Sequence, residues 1–93
     1  MAEYTQDAIV RVWQMAKVVS GYNPTYVRKD VCGALIQYQD YGSRDSNYGW
    51  EIDHIIPTSR GGTNTYGNVQ PLHWQNNASK GDGELVCSVY STQ

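Results

Sequence analysis

Phenylalanine is absent from the 93-residue chain, cysteine occurs twice and proline three times. The cysteines, Cys32 and Cys87, stand far apart and form no Cys-x-x-Cys pair, so zinc-ligand spacing is missing. A single disulfide is compatible with that spacing but not implied by it. Two reduced, buried thiols in a cytosolic protein are the preferred reading. No apolar run reaches the length of a transmembrane helix. No basic segment followed by an apolar one opens the chain, so no signal peptide is expected. These absences favour a cytoplasmic protein with no membrane partner. Net charge is only −2, which argues mildly against a basic nucleic-acid coat protein. A nuclease is not excluded, because a bound divalent cation changes the local sign.

What the chain does have is eight Tyr and three Trp, a core whose large rings also want hydrogen bonds. The length is that of one small domain, residues 1–93, with a limited core. Residues 5–19 read as a first helix, since Ile9, Val12, Trp13, Ala16 and Val19 recur at helical spacing. Thr5 can cap it and Asp7 falls in its first turn. Residues 26–38 read as extended, with strand formers Val27, Val31, Leu35 and Ile36 and a turn near Gly33. Residues 40–49 are loop, and residues 84–90 alternate partly, as an edge strand would, with a short helix as the alternative. The expected class is α+β.

Chemistry concentrates in residues 49–82, which read as strand, Gly-rich loop, strand, helix. Asp53 and His54, an oxygen ligand beside a base, close the first apolar run. Asn77, in the polar helical segment, offers a carbonyl oxygen. Carboxylate and amide oxygens are hard donors that suit Mg2+ or Mn2+ and leave places for water and phosphate. Helix capping is the bland use of Asn76 and Asn77. The Asn77-Ala78-Ser79 sequon is discounted because no export signal precedes it. Asn68 has the place of a turn residue that pins the loop to the first strand. His73, four residues before Asn77, is read as structural in preference to a third ligand.

The series Glu51-Ile-Asp53-His54-Ile-Ile-Pro, Gly61-Gly62, Asn68-Val-Gln-Pro-Leu72 and Asn76-Asn77-x-x-Lys80-Gly-Asp82 resembles the HNH endonuclease family. The resemblance implies a ββα-metal (HNH) core, residues 49–82. An N-terminal helix and an additional hairpin in residues 1–48 would support it, with residues 83–93 as tail. It places His54 as general base, Asn68 as its orienting residue, and Asp53 and Asn77 as ligands of one Mg2+ or Mn2+. It implies nicking of double-stranded DNA to a 5′ phosphate and a 3′ hydroxyl, in a bacterial or phage-type protein. A homodimer or protein partner is compatible with that.

Many relatives carry two Cys-x-x-Cys pairs on a structural zinc. Positions of the second pair hold His73 and Asn76 here, so no structural zinc is expected, and Trp74 with the first helix would brace the fold instead. Arg60 and Lys80 flank the site as phosphate contacts, with Arg44, Arg28 and Lys29 as further candidates. Two alternatives compete. One is a non-catalytic HNH-fold module that binds nucleic acid or protein. The other is a toxin-type nuclease masked by an immunity protein, which the acidic charge and the lack of an export segment disfavour.

Overall fold

The computed structural model describes residues 4–91. Residues 1–3 and 92–93, part of the expected support and tail segments, lie outside them. The chain runs α1 (Gln6–Trp13), β1 (Val27–Lys29), β2 (Leu35–Gln37), β3 (Trp50–His54), β4 (Val69–His73) and α2 (Trp74–Lys80), with short 3-10 turns between. It is a small α+β protein with two antiparallel two-stranded sheets, β1–β2 and β3–β4. Among the described residues no helix is long and apolar enough to cross a membrane.

Thr5 caps α1 through its side-chain oxygen, which accepts from the Ala8 amide. The helix ends at Trp13 rather than running to residue 19. Met15 and Ala16 turn back to Val12 and Trp13 in i−3 bonds, and Lys17 then pairs with Lys29 as an antiparallel bridge. The Arg28 guanidinium takes the carbonyls of Gln14, Ala16 and Pro24. Arg28 thus satisfies carbonyls that the helix end leaves open, and β-branched Val18 and Val19 beyond it favour extended backbone.

The core joins α1 to the sheets through Val12, Trp13, Ala16, Ile36, Trp50 and Val69. Full burial of a Val or Ile side chain stabilises the fold by about 1.5–3 kcal/mol. Trp13 and Trp50 pack at 5.3 Å between ring centroids, and Tyr41 meets Trp50 edge-on at 4.9 Å. Each Trp N–H finds a carbonyl: Trp13 on Pro24, Trp50 on Tyr38 and Trp74 on Ser46. The polar handles are therefore satisfied within the apolar core.

A buried carboxylate, Asp30, ties the hairpin to α2. Asp30 Oδ1 accepts from the amides of Cys32 and Ala34. Its Oδ2 accepts from the His73 amide and Asn76 Nδ2, at 2.9 and 3.0 Å. Asn76 Oδ1 in turn accepts from the amides of Ser88 and Val89. The expected bracing by Trp74 and α1 is thus supplemented by a network invisible in either segment alone.

Two expectations are corrected in the tail. Residues 84–90 form no strand, because their backbone is held by the Asn76 side chain and not by a neighbouring strand. Cys32 and Cys87 are not reduced, buried thiols. They form a disulfide with Cα atoms 5.5 Å apart, Cys87 exposed and Cys32 half-buried. The tail's return past the β1–β2 turn brings the two sulfurs together. A disulfide belongs to oxidising surroundings in most proteins, so the thiol-based argument for a cytosolic setting falls.

Candidate active site

β3 and β4 pair in register from Trp50 opposite His73 to His54 opposite Val69. Strand alternation puts Glu51 and Asp53 on one face, and α2 crosses that face. Asn77 and Lys80 lie one turn apart on α2, so each meets one of the two carboxylates. Asn77 Nδ2 donates to Glu51 Oε1 at 2.8 Å, and Lys80 Nζ lies 3.3 Å from Asp53 Oδ1. Asp53, His54, Asn77 and Lys80 line one cavity of about 180 Å³ with Pro57, Thr58 and Asp82.

Both carboxylate oxygens of Asp53 have partners. Gln70, directly across the sheet, donates Nε2 to Asp53 Oδ2 at 2.9 Å. Lys80 also donates to the His54 carbonyl at 3.0 Å. Burial, then the Asp53 charge, push the Tyr4 hydroxyl above its ordinary value, so it stays protonated beside that carboxylate. Glu51 takes a bidentate pair from Arg44, both bonds 2.8 Å. Those hydrogen bonds hold its carboxyl below the usual range against the opposing effect of burial, with Asn77 adding to them.

The loop between the strands is pinned by Asn68. Its Oδ1 accepts from the Ile56 amide and its Nδ2 donates to the carbonyls of Ile56 and Thr63. Gly62 fits here only because it lacks a side chain: a Cβ would stand 1.7 Å from the Ile56 carbonyl oxygen. Asn68 does not touch the imidazole. His54 Nε2 instead meets Asn64 Oδ1 at 2.7 Å.

The family that fits this arrangement is identifiable from the chain itself. A family model described as HNH endonuclease matches residues 31–83, more than half of the 93 residues. The chain belongs to the HNH endonuclease family. No curated protein and no solved structure matches it. The span shared with the HNH model contains β2, β3, β4 and α2, and with them Asp53, His54, Asn68 and Asn77.

A divalent metal, implied by the HNH family, fits the donors present. Asp53 and Asn77 offer hard oxygens, and the Lys80 ammonium, 3.3 Å from Asp53, would compete with a cation there. Among the described residues no group of three or more His, Cys, Asp or Glu could hold a metal. Both ring nitrogens of His73 are taken up within the fold. Its Nε2 bonds the Asn47 carbonyl and its Nδ1 accepts from the Gln75 amide.

The expected phosphate contacts divide. Lys80 is buried and committed to Asp53 and the His54 carbonyl, so it is corrected from a surface contact to an internal counter-ion. Arg28 caps the end of α1, and Arg44 is paired with Glu51. Lys29 is half-buried with its backbone paired to Lys17. Arg60 is exposed on the turn Thr58–Arg60 and lines the groove adjoining the site, which shares Pro57 and Lys80 with it.

Among the residues of the site not assigned from the sequence are Glu51, Asn64 and Gln70. Glu51 was within reach of strand alternation, two positions from Asp53 on the same face. Gln70 depends on the β3–β4 register and Asn64 on loop closure. Neither leaves a local signature.

Proposed function

We propose that this HNH domain is a metal-dependent endonuclease that nicks DNA. On this reading β3, β4 and α2 form its ββα-metal core, residues 49–82 carry the chemistry, residues 1–48 support it and residues 83–93 are its tail. The observation that carries the reading is the convergence of Asp53, His54 and Asn77 on one cavity of about 180 Å³.

His54 acts as general base and takes a proton from a water in line with the scissile phosphate. The water oxygen bonds to phosphorus, and the bond from phosphorus to the 3′ oxygen breaks. That oxygen takes a proton from solvent, leaving a 3′ hydroxyl and a 5′ phosphate. Asp53 and the Asn77 carbonyl oxygen would hold one Mg2+ or Mn2+. Such an ion, when bound, supplies Lewis-acid stabilisation of charge building on the phosphate. Glu51 holds the Asn77 amide by its nitrogen, which leaves the oxygen for the cation. Arg60 meets a phosphate of the bound duplex. One site per chain nicks one strand, so a double-strand break needs a second copy or a second event.

The test is incubation of plasmid DNA with the protein and Mg2+ or Mn2+, with and without EDTA. Nicking should need the metal. His54→Ala should slow single-turnover nicking by roughly 10²- to 10⁴-fold with DNA affinity unchanged. Near-wild-type nicking by that variant would refute the mechanism.

One observation favours a second reading, a binding module that does not cut. The Asp53 carboxylate is already matched by the buried Lys80 ammonium, as a site without a metal would require. In that case DNA binding persists in EDTA and no nicking appears with either metal.

A further inference from the structure

The contact between His54 and Asn64 joins two side chains, and one of them has only one chemical option. An amide oxygen accepts hydrogen bonds and cannot donate them. With Asn64 Oδ1 at 2.7 Å, His54 Nε2 must therefore carry the hydrogen. In the neutral ring, Nδ1 is then left with the lone pair. Which nitrogen of a histidine bears the proton is set by the bond the other makes.

Asn64 is itself held in place. Its preceding residue, Thr63, gives its carbonyl to Asn68 Nδ2. The hydroxyls of Thr63 and Thr65, on either side of Asn64, bond each other at 2.9 Å. The Gly62 amide returns to the Pro57 carbonyl, and the Asn68 amide to the Thr65 carbonyl. Asn68 thus acts on the backbone of the loop, and the loop presents Asn64 to the ring.

We infer that Asn64 is the positioning residue of His54. It selects the Nε2–H tautomer and makes Nδ1 the atom that receives the proton from water. This rests on His54 being the general base, while the bond itself can be tested without any cleavage.

The experiment combines nitrogen-15 NMR of the imidazole, in alkaline buffer without metal, with single-turnover nicking. In the wild-type protein the nitrogen-15 shifts should show Nε2 carrying the hydrogen and Nδ1 carrying the lone pair. Asn64→Ala should relax both shifts toward those of a free imidazole, which exchanges between the two tautomers. Asn64→Asp, which keeps an acceptor at the same place, should retain the wild-type pattern. In nicking, Asn64→Ala should lower the maximal rate by about 10- to 100-fold, with DNA affinity and the metal concentration for half-activity unchanged. A wild-type ring protonated on Nδ1 would overturn the inference. So would wild-type shifts equal to those of a free imidazole, or an Asn64→Ala variant that nicks at the wild-type rate. If the wild-type protein does not nick at all, the general-base reading fails, and the role assigned to Nδ1 fails with it. The NMR result would then still decide whether Asn64 holds the ring.

Discussion

Lys80 Nζ lies 3.3 Å from Asp53 Oδ1, and the two side chains are 4% and 5% exposed. Removing one partner of a buried pair leaves an uncompensated charge, at a cost of about 3–5 kcal/mol. Lys80→Met should therefore lower stability strongly in EDTA. It should also remove the competitor for a cation at Asp53, so Mn2+ should raise the melting temperature of the variant more than that of the wild type. Thermal melts of both proteins with EDTA and with rising Mn2+ check this. Equal metal-dependent stabilisation of the two would place the ion elsewhere.

Arg44 and Glu51 predict a pH dependence whose sign follows from the shift. The Glu51 carboxyl is held below its ordinary value, chiefly by hydrogen bonds from Arg44. Such a group contributes stability that is present above its unfolded-state value and lost as pH falls through its folded-state value. Arg44→Ala should therefore be less stable than wild type near neutrality, with the gap closing in acid. Arg44 is 55% exposed, so the gap should stay under about 1 kcal/mol. Urea melts across that range measure it, and a gap that widens on acidification would contradict the assignment.

Cys32 and Cys87 close a loop with a sequence separation of 55. In the chain-entropy picture a loop of that size is worth about 4 kcal/mol. Reduction should lower the urea midpoint and loosen residues 84–91 first, because the bridge and Asn76 both hold that segment. Hydrogen exchange with and without reductant would show it. Unchanged protection of Ser88 and Val89 would mean that Asn76 alone suffices.

Arg60 is the one expected phosphate contact whose side chain is exposed beside the cavity. Each neutralised phosphate contributes about 0.9 to the slope of log affinity against log salt on duplex DNA. Arg60→Ala should flatten that slope by about one unit and weaken binding evenly across sequences. An identical slope in the variant would move the DNA to another face.

Local chemistry was enough to read the hairpin, the two site strands and the helix after them; of the four residues expected to come together, Asp53, His54 and Asn77 line one cavity and Asn68 is not part of that lining. Alternation and capping act between near neighbours, so a short window of sequence carries them. The family motif added the order in which those pieces meet. What only the tertiary structure decided lies in contacts between distant segments. Lys80 reads as a phosphate contact beside the site, yet its ammonium turns inward to a carbonyl 26 residues away. Arg28 and Arg44 read as free charges until the ends of α1 and β3 claim them. Cys32 and Cys87 read as separate thiols until the tail folds back across the hairpin. In each case a buried or backbone polar group demanded a partner, and chain folding, not local pattern, determined which residue was near enough to supply it.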